Sequence, residues 1–258
     1  MRLQDKTTII TGAGSGLGLG IASLFTREGA KVVIAEIDET AGKKAAKNIR
    51  ESGGVVHFYQ TDTRDENNIK KMVEFTVAEF GGINVLVNNA GIGLPKLIPD
   101  ITEAEWNNLY AVNLRGYFLC CKYVIPSMQK QGGGSIINIS SVQAFAPQVS
   151  FAAYAATKGG IVSMTKGIAM DYGKDFIRAN AICPGMVMTP TTDRILHQTG
   201  QFEKIVHGTL AIQCLPRMGK EVDIAYLSVF LACDESSFIT GQAIVIDGGA
   251  SVGLKIPL

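Results

Sequence analysis

The run from Lys6 to Phe25, KTTIITGAGSGLGLGIASLF, limits what this chain can fold into more than any other stretch. It joins a short β-branched strand directly to glycines and then to a helix of apolar period. That order puts a helix N-terminus, with its unpaired N–H groups, at the carboxyl end of a strand, where phosphate is held. Gly12 supplies the tight turn, Gly16 leaves no side chain between backbone and a pyrophosphate, and Gly18 lets the helix pack closely, with Ser15 and Leu17 in the same loop. The spacing departs from G-x-G-x-x-G, although Gly14 partly restores its look, and makes the phosphate loop one residue longer.

Strands alternate with helical stretches along the rest of the chain, which implies βαβ units. Apolar, strand-like runs lie at Thr7 to Thr11, Lys31 to Ala35, Val55 to Gln60, Val85 to Asn88, Ser135 to Ser140, Arg178 to Ile182 and Ala243 to Ile246. Most are solid rather than alternating, which suits strands covered on both faces. The expected fold is α/β, a doubly wound (Rossmann) parallel sheet of about seven strands with helices on both faces and right-handed crossovers. No Pro-, Ser- or charge-rich linker interrupts the 258 residues, so residues 1–258 are expected to form a single domain. Gly132 to Gly134 reads as a turn closing a helix. Between Pro184 and Gly219 periodicity is lost and Pro190 and Pro216 intervene, which predicts a mobile lid over approximately 186–219.

Charge narrows the partners. With 24 basic and 23 acidic residues the net charge is +1, which argues against nucleic acid and an anionic membrane surface and for a small-molecule ligand. No window approaches the roughly 18 apolar residues of a spanning helix, and MRLQDKTTII lacks the parts of a secretory signal, so a cytoplasmic location is expected. The five cysteines show no C-x-x-C or zinc rhythm and are expected to be reduced and mostly buried. His57, His197 and His207 are scattered without a carboxylate or cysteine cluster, so no metal site is expected. Trp106 is expected to pack a helix.

Tyr154 and Lys158 carry the chemistry. Four-residue spacing on a helix stacks a phenol and an ammonium on one face. A free Tyr has a pKa of about 10, and a cation one turn away favours the phenolate and is expected to pull that value down. Such a Tyr can exchange a proton with a substrate oxygen.

Three motifs in order resemble the short-chain dehydrogenases and reductases. Thr11, Gly12, Gly16 and Gly18 match the family's TG-x-x-x-G-x-G loop, Asn88 to Gly91 its NNAG segment, and Tyr154 with Lys158 its Y-x-x-x-K pair. The likeness runs from Thr7 to the IDGG at Ile246 to Gly249, nearly the whole chain. It places the family's active-site Ser on Ser141, its helix-borne Asn on Asn113, and its PG-x-V-x-T segment on Pro184, Gly185, Val187 and Thr189. The resemblance implies that Tyr154 passes a proton while hydride moves at nicotinamide C4, that Lys158 orients the nicotinamide ribose, and that Ser141 bonds the substrate oxygen. Asn113 would hold a water linking Lys158 to solvent; a helix residue bonded to backbone is the competing reading.

Glu36 ends the second strand, where a carboxylate can accept both hydroxyls of an adenosine ribose and repel a 2′-phosphate, which selects NAD. Asp62, with Thr63 beside it, resembles the family's adenine-contacting acid, and Asn89, Ala90 and Gly91 place backbone against the adenosine half. Gln143 lies in a segment that lines the substrate pocket in the family, and Phe145, Phe151, Met186 and Met188 suggest an apolar wall. The expected activity is NAD-dependent oxidation of a secondary alcohol of a small neutral molecule, such as a sugar, polyol, cyclic alcohol or steroid. Two alternatives stay open: a reductase of carrier-bound acyl chains, and a dinucleotide-sensing or scaffold protein without catalysis. The resemblance further implies a homotetramer through Trp106 to Gln129 and Tyr154 to Tyr172, with a second contact near the C-terminal strand and the tail SVGLKIPL.

Overall fold

All seven apolar runs pair into one parallel sheet in the computed structural model, which describes residues 1–253, apart from the side chains of residues 191 and 195. The strands are β1 (Thr7–Thr11), β2 (Lys31–Glu36), β3 (Val56–Gln60), β4 (Val85–Asn88), β5 (Gly134–Ile139), β6 (Ile177–Pro184) and β7 (Ala243–Ile246). Their order is β3-β2-β1-β4-β5-β6-β7, with registers such as Thr11↔Ala35, Asn88↔Asn138 and Ile182↔Ile244. The expected strands hold to within one or two residues, with the largest difference at β6, whose carboxyl end extends two residues to Pro184. Gly134 opens β5 rather than belonging to the turn before it.

Helices cover both faces: α1 (Gly16–Arg27), α2 (Glu39–Glu51), α3 (Glu66–Phe80), α4 (Glu103–Tyr110), α5 (Gly116–Lys130), α6 (Ala152–Tyr172), α7 (Pro190–Gln198), α8 (Phe202–Ile212) and α9 (Glu221–Ala232). Strand alternation divides the core in two. Ile10, Val32 and Ile34 point to the layer of α1, α2 and α9, where Phe25, Ala46 and Val229 are buried. Ile9, Val33 and Ala35 point to the layer of α3 and α5, where Met72 and Val124 are buried. Each such aliphatic side chain contributes about 1.5–3 kcal/mol by leaving water, which is why the central strands read as unbroken apolar runs. Side-chain caps fix several helix starts: Asp38 accepts the Thr40 and Ala41 N–H groups, Asp65 those of Asn67 and Asn68, and Thr102 with Glu105 forms a capping box.

The stretch without periodicity is helical, as α7 and α8, because short helices that bury little need no long apolar stripe: α8 has no buried residue. Its ends are tied to each other and to the body. Met188 N–H donates to Gly219 O at 2.9 Å, and the N–H groups of Cys214 and Leu215 donate to Gly248 O at 2.9 and 3.0 Å. Trp106 packs on its own helix, stacked on Tyr110 with ring centroids 4.5 Å apart, and stays 38% exposed. Of the cysteines, Cys214 is exposed and the other four are buried. The last five residues of the tail lie outside the described residues, so the expected burial of SVGLKIPL falls largely beyond them. Among the described residues no helix is long and apolar enough to cross a membrane.

Candidate active site

Every loop that carries a motif leaves the carboxyl end of a strand. β1 lies between β2 and β4, where the winding reverses, and a cavity of about 790 Å³ opens across those strand ends. Its wall takes in Gly12, Ser15, Gly16 and Leu17 after β1, Glu36 at the end of β2, Asp62 and Thr63 after β3, and Asn89, Ala90 and Gly91 after β4. Ser141 and Gln143 after β5, Tyr154 and Lys158 of α6, and Pro184, Gly185, Val187 and Thr189 from the end of β6 onward complete it. Two expected residues are not in that wall. Gly18 lies behind the turn, where an added Cβ would strike the Gly12 carbonyl, and Asn113 is fully buried.

The first turn has the shape of a diphosphate cradle. Gly12 sits at φ 63° with its N–H on Ala35 O at 2.7 Å, and a Cβ there would lie 2.8 Å from Ala90 Cα. Gly16 looks into open space: the nearest atom to an added Cβ is on Thr189, 3.8 Å away. Ser15 precedes α1 in extended backbone and does not cap it with its side chain, so the helix N-terminus faces the cavity without a side-chain acceptor. Bare backbone, an uncapped N-terminus and a gap opposite Thr189 fit a dinucleotide's phosphates.

At the end where the sequence leads one to expect adenosine, the acids are engaged. Glu36 accepts the N–H of Gly14 at 3.0 Å, of Ile37 at 2.9 Å and of Asp38 at 3.1 Å. A Cβ on Gly14 would sit 2.7 Å from Glu36 Cγ, a close approach that glycine spacing alone does not reveal. Asp62 is clasped by Arg64, whose Nη2 donates at 2.7 Å and Nε at 3.0 Å, and the guanidinium holds its carboxyl below the usual range against the opposing effect of burial. Arg64 also donates to Asn108 Oδ1 at 2.9 Å. Both Arg64 and Asn108 line the cavity, and no sequence signal singled them out beyond Arg64 lying two residues after Asp62.

At the other end Ser141, Tyr154 and Lys158 converge. Lys158 is buried, donates through Nζ to Ile139 O at 2.9 Å, and sits 5.5 Å from the Tyr154 ring centroid and 5.7 Å from that of Tyr117. Burial pulls its ammonium down to about 8. Here the expectation of a lowered Tyr154 is overturned. Burial raises the Tyr154 phenol above its ordinary value, and the hydrogen bond with Ser141 opposes that rise without cancelling it. The physical reason is desolvation, which penalises phenolate and ammonium alike, and the Lys158 head is held on a backbone carbonyl, not on the phenol oxygen.

Asn113 lies in one wide π turn, residues Ala111–Arg115, that joins α4 to α5 and turns its amide inward. Its Oδ1 accepts the Ile92 N–H at 2.8 Å, and its Nδ2 donates to Ile92 O at 2.9 Å and Thr157 Oγ1 at 3.2 Å. The amide thus pins the loop after β4 to α6. Bonding to the Ile92 backbone and the Thr157 hydroxyl is what the structure shows of this residue, and a Cβ on Gly91 would lie 3.5 Å from its Oδ1 and 3.7 Å from Lys158 Nζ. Phe151 and Met186 line the cavity and Phe145 and Met188 do not; Phe145 is 55% exposed. Gln148, Ile92 and Thr192 line it as well, unforeseen because nothing in sequence says which loop residues fold back. His57 packs against Phe75 and Phe80, while His197 and His207 sit on α7 and α8, each with Nδ1 2.9 Å from a carbonyl four residues earlier.

A family model described as Enoyl-(Acyl carrier protein) reductase matches residues 12–251. The chain is 41% identical over 253 residues to the NADP-dependent (R)-specific alcohol dehydrogenase of Lentilactobacillus kefiri, covering 96% of this chain and 97% of that protein. It is 36% identical over 248 residues to the cyclopentanol dehydrogenase of Comamonas testosteroni, covering 96% and 98%. A solved structure from Burkholderia xenovorans, described as a short-chain dehydrogenase/reductase, superposes with a TM-score of 0.94 at 36% identity over 98% of this chain and 99% of that one.

Proposed function

The chain belongs to the short-chain dehydrogenase/reductase family of oxidoreductases, and from that premise we propose that it is an NAD-dependent dehydrogenase of a secondary alcohol on a small neutral molecule. The observation that carries this reading is the convergence of Ser141, Tyr154 and Lys158 at one end of a cavity whose other end holds Glu36. When bound, the nicotinamide supplies or accepts the hydride. Ser141 Oγ offers a neutral donor and acceptor to the substrate oxygen. Tyr154, a neutral phenol that burial raises, donates to a carbonyl oxygen in reduction, and as the phenolate left by that transfer it takes a proton from the alcohol in oxidation. Lys158 brings a cation into the buried space beside that ring, favouring phenolate when charged. Asn113 positions the loop after β4 through Ile92.

Glu36 supports NAD over NADP. A 2′-phosphate placed at its carboxylate is a like-charge contact, and within the described cavity wall the neighbouring Ser15 and Ile37 bring no cation. The NADP-dependent relative makes this choice the point to test. The likeness to acyl-carrier-protein reductases, a 3-oxoacyl reductase among them, favours a second reading, reduction of carrier-bound 3-oxoacyl chains. Exposed apolar residues on the expected contact helices, Phe118 at 51% and Met170 at 84%, support a homotetramer as part of the proposal. The reading also carries a cytoplasmic location and a single domain over residues 1–258.

The experiment is kcat/KM for NAD and NADP with a panel of secondary alcohols, and for NADH and NADPH with an acetoacetyl thioester, in wild type, Glu36→Ala and Tyr154→Phe. We expect NAD preferred by roughly 100-fold, a ratio that Glu36→Ala shrinks, and kcat of Tyr154→Phe lowered about 10²–10⁴-fold with dinucleotide binding retained. Equal use of both dinucleotides, or a ratio indifferent to Glu36, defeats the NAD assignment. Thioester reduction with no alcohol oxidation establishes the second reading, and a Tyr154→Phe protein as active as wild type removes the tyrosine's role.

A further inference from the structure

Beyond Ser141 and Tyr154, the loop joining β5 to α6 sends two neutral amides, Gln143 and Gln148, to the wall of the same cavity. Gln143 Nε2 donates to Gln148 Oε1 at 3.3 Å, and Gln143 Oε1 accepts the Gln148 N–H at 3.5 Å. Both bonds are long, so they are readily exchanged for bonds to a ligand. The Gln143 N–H donates to Ser141 Oγ at 3.2 Å, which ties the base of this side chain to the hydroxyl offered to the reacting oxygen. Ser150, at φ 67°, turns the chain back so that Phe151 meets Tyr154 edge-on, with centroids 5.8 Å apart. A left-handed serine is a strained choice, and here it closes the loop over the reacting end.

The charge pattern limits what the pair can read. Among the described residues lining the cavity, Glu36, Asp62 and Arg64 belong to the adenosine end, and Lys158 is the charged group at the reacting end. Two uncharged amides that donate and accept match a hydroxyl, which does the same, better than a carboxylate or phosphate. Resting on the reading of this site as a secondary alcohol dehydrogenase, we propose that the substrate is a vicinal diol or its α-hydroxy ketone. Gln143 recognises the hydroxyl next to the reacting carbinol, and Gln148 holds Gln143 in position. In oxidation the carbinol C–H hydrogen would leave as hydride to bound NAD and the O–H proton would pass to the Tyr154 phenolate. The C–O bond becomes C=O and the neighbouring hydroxyl is untouched.

The test compares cyclohexanol with cis- and trans-cyclohexane-1,2-diol, which differ by one adjacent hydroxyl, in wild type, Gln143→Leu, Gln148→Leu and Gln148→Glu. Wild type is expected to favour a diol in kcat/KM by roughly tenfold or more, because a site built to bond a hydroxyl is poorly served by the analogue lacking it. Gln143→Leu should bring that ratio close to one. Gln148→Leu should raise KM for the diol more than it lowers kcat, and Gln148→Glu, which keeps an acceptor for Gln143 Nε2, should restore the ratio. Turnover of cyclohexanol that neither diol exceeds, or a Gln143→Leu protein that loses both substrates equally, overturns this proposal and leaves the dehydrogenase reading standing. No oxidation of any of the three alcohols, and no reduction of cyclohexanone or 2-hydroxycyclohexanone, with either dinucleotide, defeats both.

Discussion

The turn after β1 and the segment from Val187 to Gly219 face each other across one cavity, with Gly16 opposite Thr189, yet they are held by opposite means. The turn is fixed by contact. Gly12 is pressed against Ala90, Gly14 against Glu36 and Gly18 against the Gly12 carbonyl, so each position admits no side chain. The opposing segment is fixed by backbone hydrogen bonds at its two ends, while α8 between them buries no residue. A wall made of interlocked backbone cannot move without breaking many contacts. A flap secured at its margins opens at much lower cost. The dinucleotide half of such a site is therefore rigid and the substrate half adjustable.

Two glycines of nearly equal conformation break or sharpen that contrast. Gly12 has φ 63° and Gly200, between α7 and α8, has φ 65°, so an L side chain is strained at both. Only Gly12 is hemmed in; nothing lies within 4 Å of a Cβ on Gly200. Gly12→Ala should lose about 3 kcal/mol of stability, from left-handed strain together with the overlap on Ala90, and most of its dinucleotide affinity. Denaturant titration and calorimetric titration with NAD check this, and a mild effect on both would mean the turn yields as easily as the flap.

An intermediate effect is expected from Lys158, buried in the rigid half. Its folded-state value near 8 lies below its ordinary 10.5, so the native state binds fewer protons than the unfolded state between those limits. The destabilisation from its charge is then fully present below about pH 8 and fades as pH rises towards 10.5. Wild type should gain about 1 kcal/mol relative to Lys158→Met between pH 8 and 9. Ile139 O keeps the Tyr117 hydroxyl at 3.0 Å when Lys158 is replaced, so the variant should fold. Parallel pH courses for the two proteins would show that the ammonium is hydrated after all.

The narrowest effect belongs to Gly200→Ala, similar in energy to that of Lys158 but confined to stability. Strain alone predicts a loss of about 1 kcal/mol, with no change in dinucleotide affinity. A loss as large as that of Gly12→Ala would erase the distinction between the two halves.

The glycine turn, the strand runs and the Tyr154 and Lys158 pair were legible because each rests on local geometry: chain reversal, burial on both faces, one helical turn. Most motif residues line one cavity because their loops leave strand ends, and parallel strands bring their carboxyl ends to one edge. Gln148, Arg64 and Asn108 were not legible. Gln148 reaches the cavity through a loop reversal at Ser150, and Arg64 through its grip on Asp62 and on a helix 44 positions away. The helices α7 and α8 escaped for a related reason, since periodicity reports burial and they bury little.

By itself the sequence determined the sheet, the place of the glycine turn and the one-turn spacing of Tyr154 and Lys158, all set by short-range sterics and alternation. Tertiary structure alone decided the electrostatics. A cation four residues from Tyr154 predicts a lowered phenol, but the fold buries both groups and seats the ammonium on Ile139 O. Desolvation then raises Tyr154 and lowers Lys158. Burial depends on what every other element places overhead, and no spacing within one helix records it.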